Sequence, residues 1–300
     1  MPPPRSPHER HVAGPAGDLV VWDRPGDPPD TLLLHGVGGM GRMWDLFADA
    51  VGGRLRLVAP DARGHGDSVK PPVTSVTPAS YAPDAFVADV TAILDALAVE
   101  RALLVGHSMG GGHAAAFTLA HPERVRALVI IDIGPTLGAE GLERTTRLST
   151  TRPELFLDRT DAERYLRETS PGYSDEIYAH RLRWLFRRTA AGYVWRSDPA
   201  ALAQILIRPE RDAAGAAETG RSGRSGQSGR SWAQLAMITV PTLIVRGARS
   251  TYLATETAQR MIATLPDARL IELDAGHNVQ LDQPGALADA IVAFGRAHAS

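Results

Sequence analysis

Seven short runs of consecutive apolar residues punctuate the chain: Asp18 to Trp22, Thr31 to Gly36, Leu55 to Asp61, Ala102 to Ser108, Ala127 to Asp132, Pro241 to Gly247 and Arg269 to Asp274. Runs that are apolar at successive rather than alternate positions suit strands buried on both faces of a parallel sheet. Between them lie patterns with helical spacing, at Met43 to Val51, Ala82 to Leu97, Met109 to Ala120, Thr255 to Leu265 and Pro284 to His298. Strand and helix in alternation predict an α/β fold with a mostly parallel central sheet flanked by helices. Ligands in such sheets bind beyond the carboxyl ends of the strands, so the informative residues are those just after each run. Glycine and polar residues gather there: His35-Gly36-Val37-Gly38-Gly39, Asp61-Ala62-Arg63-Gly64-His65-Gly66, Gly106-His107-Ser108-Met109-Gly110 and Asp274-Ala275-Gly276-His277-Asn278.

The rhythm breaks between Thr136 and Ile238. This stretch reads as helical and carries an apolar and aromatic set that includes Tyr165, Tyr178, Trp184, Phe186 and Trp195. The pattern divides the chain into a core at 15–135 and 239–300, an inserted unit at 136–238, and a loose tail at 1–14 that has no apolar run. Within the insertion, 213–231 is a Gly/Ser/Arg low-complexity run that cannot bury a core face and reads as a mobile surface loop. Arg181, Arg183, Arg187 and Arg188 are interleaved with the aromatics. Such charges usually mark a solvated helix face, and the alternative is that one of them meets a substrate carboxylate.

Composition narrows the function classes. The 300 residues are 44% hydrophobic and 22% charged, with a net charge of −2, ordinary values for a globular protein with a substantial core. No basic stripe marks a nucleic-acid or anionic-membrane partner, which points to a small-molecule ligand and leaves a homo-oligomer open. Without a cysteine, the chain has no disulfide, thiolate nucleophile or cysteine-ligated metal, a weak pointer to the cytoplasm. No secretory h-region or run of eighteen apolar residues is present, so neither export nor a membrane span is expected.

Ser108 sits in Gly106-His107-Ser108-Met109-Gly110, a Gly-x-Ser-x-Gly pattern between a buried-strand run and a small-residue helix. That is the context of a nucleophile elbow, where serine occupies a strained strand-to-helix turn. The blander reading is an ordinary strand–helix turn. Glycines two residues to either side let strand and helix pass closely.

With LLLHGVGG, DARGHGDS, GHSMGG and AGHNVQLDQP in this order, the chain resembles the α/β-hydrolase fold family over Asp18 to Pro135 and Pro241 to His298. The resemblance implies a helical cap inserted after strand 6, a nucleophile after strand 5, an acid after strand 6 or 7 and a histidine after strand 8. Ser108 fits the nucleophile. His277, after the final strand run, fits the base that takes and returns the serine proton. The stretch after strand 7, Val245 to Tyr252, holds no carboxylate. Asp132, after strand 6, takes the alternative position used by haloalkane dehalogenase relatives and is the favoured acid. Backbone amides of Val37 and Met109 are the expected oxyanion donors.

Other candidates rank lower. His107 is expected to point away from the elbow, His35 to brace the oxyanion loop, and His65 to be the remaining histidine at the strand edge. Asp274 is expected to serve a local turn and Asp61 to bond its own glycine-rich loop. The resulting expectation is a cofactor-independent, metal-free serine hydrolase acting on an ester, lactone or thioester. Carbon–carbon bond hydrolysis and a lyase or oxygenase using His277 as base are the alternatives. A serine in place of aspartate at the elbow disfavours dehalogenase and epoxide hydrolase chemistry.

Overall fold

Successive residues of the central strands feed two different cores, as a sheet buried on both faces requires. The computed structural model describes residues 6–72, 80–206 and 231–299. Its strands are β1 (His8–Gly14), β2 (Gly17–Arg24), β3 (Asp30–Leu34), β4 (Arg56–Pro60), β5 (Ala102–His107), β6 (Val125–Ile131), β7 (Leu155–Phe156), β8 (Phe186–Thr189), β9 (Gly192–Trp195), β10 (Thr242–Gly247) and β11 (Ala268–Leu273). Eight of them form one sheet in the order β1-β2-β4-β3-β5-β6-β10-β11. Strand β2 pairs antiparallel with β1 and β4, and the pairs from β4 to β11 are parallel.

On one face, Leu103 and Val105 of β5, Val129 of β6 and Val245 of β10 meet Phe47 of α1 (Asp45–Val51) and Leu287 and Ile291 of α11 (Pro284–Ala297). On the other, Leu104, Leu128, Ile130 and Ile244 meet Ile93 of α2 (Pro83–Ala96), Phe117 of α3 (Met109–Ala120) and Met261 of α9 (Thr255–Thr264). Each such large side chain contributes about 1.5–3 kcal/mol by leaving water. The sheet is thereby a rigid platform for the loops at its carboxyl edge.

One boundary needs correction. His8–Gly14, expected within the loose tail, is an edge strand in register with β2 from His8↔Asp23 to Gly14↔Gly17. Val12 alone among its residues is buried. An edge strand built from His, Glu and Arg is held by backbone pairing and has no apolar run to announce it.

The segment between β6 and β10 contains α4 (Ala139–Thr150), α5 (Arg159–Thr169), α6 (Asp175–Leu185), α7 over residues 199–206, and α8 (Trp232–Leu235). It is not purely helical as expected, because β7, β9 and β8 form a small antiparallel sheet in that order. The hairpin turns at Gly192, whose φ of 136° suits glycine, and the paired Phe186 and Trp195 bring their rings within 4.0 Å. The insertion is fastened to the core. Arg196 binds Asp67 at 2.6 Å, His180 donates to the Arg42 carbonyl at 2.9 Å, and the Arg42 guanidinium lies over both Trp22 and Trp184. Apart from Ser231, which caps α8, the 213–231 run lies outside the described residues.

Candidate active site

Chain direction sends the loops after β3, β5, β6, β10 and β11 to one edge of the sheet, and the sequence-predicted residues arrive there together. Ser108 occupies the turn between β5 and α3 with φ 54° and ψ −119°. The flanking glycines are sterically required: an added Cβ at Gly106 would lie 2.2 Å from the Gly110 carbonyl oxygen, and one at Gly110 would lie 2.2 Å from the Leu34 oxygen. Asp132, just past β6, has φ 52°. Among the described residues only Ala98 joins these two as a non-glycine with positive φ. Two strained residues thus meet at one strand edge, and strain of this kind clusters at functional sites.

His277 follows β11, immediately before the short α10 (Val279–Asp282). Its Nδ1–H donates to Asp132 Oδ2 at 2.8 Å. Asp132 is fully buried, so its charge depends on donors. The Gly247 amide donates to Oδ1 at 3.0 Å, and the Ser250 hydroxyl donates to Oδ2. Ser250 in turn accepts from the Tyr252 amide at 3.1 Å. The Tyr252 ring stacks on the His277 imidazole, with centroids 3.8 Å apart and planes 15° from parallel. Neither Ser250 nor Tyr252 was singled out from sequence. The loop after β10 has no carboxylate and supplies a hydroxyl and a ring instead.

The other histidines have defined places. His107 does not simply point away: its ring lies 4.7 Å from that of His277, and its Nε2–H donates to the His277 carbonyl at 2.8 Å. His35 donates to the Gly36 carbonyl and accepts from the Ala62 amide. His65 donates to the Arg63 carbonyl and accepts from the Gly38 amide. Each of these two rings therefore uses one nitrogen as donor and the other as acceptor, a pattern only a neutral imidazole satisfies. Burial agrees, pushing His35 down to about 4 and His65 and His107 well below the ordinary histidine value. The pair hold the glycine-rich loop that carries Val37. Asp61 accepts from the Asp67 amide in its own loop, and also from Gly41 and Trp22. Burial raises its pKa to about 6 against the pull of these donors. Asp274 pairs with Arg249.

A cavity of about 560 Å³ lies between this edge and the insertion, lined by Ser108, His277, Val37 and Met109. Among the described residues the Val37 and Met109 amides have no hydrogen-bond acceptor. The insertion contributes apolar side chains such as Leu185, Trp195 and Leu202, together with Arg144, Arg152 and Arg181. Of the four arginines named from sequence, Arg181 reaches the cavity, whereas Arg183, Arg187 and Arg188 are exposed. Arg144 and Arg152 lay in stretches without a motif to mark them. Such an arrangement can present a hydroxyl nucleophile, an imidazole oriented by a carboxylate, and two free amides to one bound molecule.

A family profile described as alpha/beta hydrolase fold matches residues 32–284, and the chain belongs to that family. It is 26% identical over 270 residues to 2-(acetamidomethylene)succinate hydrolase of Mesorhizobium japonicum, covering 90% of this chain and 88% of the other. An uncharacterized protein of Mycobacterium tuberculosis is 35% identical over 109 residues, 36% of this chain, and that match spans only 30% of the relative's length. The crystal structure of E-2-(acetamidomethylene)succinate hydrolase superposes with a TM-score of 0.80 at 25% identity, covering 96% of this chain and 98% of that one. Among the described residues no helix is long and apolar enough to cross a membrane.

Proposed function

We propose that the chain is a serine hydrolase that cleaves an ester, lactone or thioester of a small substrate through an acyl-enzyme, with residues 136–238 as a cap over the site. One observation carries this reading: Ser108, at a strained elbow, lines the same cavity as His277, whose Nδ1 is already committed to buried Asp132. Only Nε2 of that imidazole is left for proton transfer. Hydrolase activity in the full-length relative, whose name gives a succinate derivative as its substrate, supports a small-molecule substrate here.

In the proposed cycle the Ser108 hydroxyl attacks the carbonyl carbon while His277 takes its proton. The oxyanion is held by the Val37 and Met109 amides, which need no reorganisation because no acceptor among the described residues engages them. His277 then returns the proton to the leaving alcohol or thiol. A water, activated by the same imidazole, hydrolyses the acyl-serine ester. Asp132 fixes the tautomer and stabilises the imidazolium, while Ser250 and Gly247 hold its carboxylate in place.

The test is Ser108→Ala with a panel of aryl esters and lactones. We expect kcat to fall by a factor on the order of 10⁵, and a fluorophosphonate to label Ser108 in the native chain alone. Substantial residual turnover in the variant would replace this reading with base-only chemistry at His277. An unlabelled native chain that turns over no ester would point to a binding protein.

A further inference from the structure

Several arginines on the outside of the insertion pair with carboxylates: Arg164 with Asp161, Arg167 with Glu163 and Arg196 with Asp67. The three that line the cavity find none among the described residues. Arg144 donates to the Thr169 carbonyl and reaches the Ser170 hydroxyl at 3.5 Å, and Arg181 reaches that same hydroxyl at 3.4 Å. Two cations thus converge on one neutral oxygen. The Nη1 of Arg181 is buried with no acceptor among the described residues. Arg152 donates to Ser197 at 2.7 Å and lies 3.7 Å over the Trp195 ring. Its Nη1 stands 3.6 Å from where a Cβ on Gly38 would be, directly above the loop that carries Val37.

Among the described residues no carboxylate forms an ion pair with these three guanidinium groups. Asp282, the acidic group that faces Arg181, accepts from the Gly276 amide at 2.6 Å and neighbours Tyr173. Asp84 is on the cavity wall but exposed. A buried guanidinium without an anion loses its hydration and gains no Coulombic return, and two such groups side by side repel each other. Burial accordingly lowers the pKa of Arg181, and that of Arg152 to about 10. The arrangement becomes favourable when an anion enters, because a guanidinium fork matches the two oxygens of a carboxylate.

We propose that Arg144 and Arg181 form an anion subsite that binds a carboxylate of the substrate, with Arg152 as a second cation over the Gly38 side of the cavity. This rests on the hydrolase reading and specifies it: the preferred substrates are acids that carry the scissile acyl bond and, away from it, a carboxylate. Hemiesters of short dicarboxylic acids are the simplest examples. Arg144 also contacts Tyr252, whose ring stacks on His277, so the subsite adjoins the proposed chemistry on that side.

The experiment has two arms on the full chain. Glutarate and inorganic phosphate are titrated by calorimetry at low salt, and 4-nitrophenyl hemiglutarate is compared with uncharged 4-nitrophenyl valerate as substrate. Glutarate should bind, and Arg181→Met or Arg144→Met should weaken it by about 30-fold. The hemiglutarate should exceed valerate in kcat/KM by at least about 30-fold, with that ratio collapsing in both variants mainly through KM. The Arg181→Met chain should melt no lower than the native one, because an unpaired buried charge has gone. Should either variant melt early, the native ratio still decides. Equal or better turnover of valerate, phosphate binding without glutarate binding, or a ratio unmoved in well-folded variants would overturn the proposal. Arginine-dependent glutarate binding with neither ester hydrolysed would keep the subsite and remove the hydrolase reading instead.

Discussion

Ser108 and Asp132 each hold a backbone conformation that costs on the order of 1–3 kcal/mol, and each is held by its surroundings. The Ser108 amide donates to the Ile131 carbonyl at 3.0 Å and the Asp132 amide to the Val245 carbonyl at 2.8 Å, so the parallel sheet continues its pairing into both turns. Asp132→Asn should lower kcat on an aryl ester by about 10³–10⁴, because the imidazole loses both its orienting acceptor and the charge that stabilises its protonated form. Ser250→Ala is the subtler case. With one donor fewer, the Asp132 carboxylate is held less firmly and orients the imidazole less well, so kcat on an aryl ester should fall by about 10-fold with KM little changed. An unchanged kcat with only a lower melting temperature would make Ser250 a packing residue. Sequence led to Asp132 and His277 because each follows an apolar strand run, Asp132 directly and His277 after a short turn. It passed over Ser250 because a hydroxyl that serves a carboxylate looks like any loop serine until the fold closes.

The strand β5, its turn and α3 act as one element whose spacing is set by missing side chains. Gly106→Ala or Gly110→Ala drives a methyl into backbone carbonyls that cannot swing aside, and either should cost more than about 3 kcal/mol in urea unfolding. Gly285, on the first turn of α11, has nothing within 4 Å of an added Cβ. Gly285→Ala should therefore stabilise by about 0.4–1 kcal/mol in the same assay. A comparable loss at all three positions would defeat the steric argument. Legibility at this scale follows burial. Strands β2 to β6 and β10 are visible as buried apolar runs and β11, half-buried at the far edge of the sheet, as a run of mixed character, whereas β1 is polar and on the other edge. The insertion's β7, β8 and β9 are too short to set a period, and their pairing is decided by contacts between Phe156, Phe186 and Trp195.

For the whole molecule, three buried neutral histidines make acid destabilising, offset in part by Asp61, whose raised pKa acts the other way. His35 has its pKa lowered to about 4 from 6.5, so the unfolded chain binds the proton first as pH falls through 6.5. Stability then drops until the folded value is reached and is recovered as pH rises. His35 alone should remove about 2 kcal/mol between pH 7 and pH 5, with His65 and His107 acting in the same direction. Denaturant unfolding at the two pH values checks this, and His35→Gln should show a smaller difference than the native chain.

Strands β6 and β10 are hydrogen-bonded neighbours, with Leu128 opposite Thr242. The two run parallel, so the hundred or so residues between them leave the sheet at its carboxyl edge, beside the cavity, and rejoin it at the opposite, amino edge. Evolution can lengthen, trim or replace that segment as a module without re-threading the strands beneath. Under the proposed reading, grafting in another relative's segment should change which guest molecule is accepted while the residues carried by the sheet stay in place.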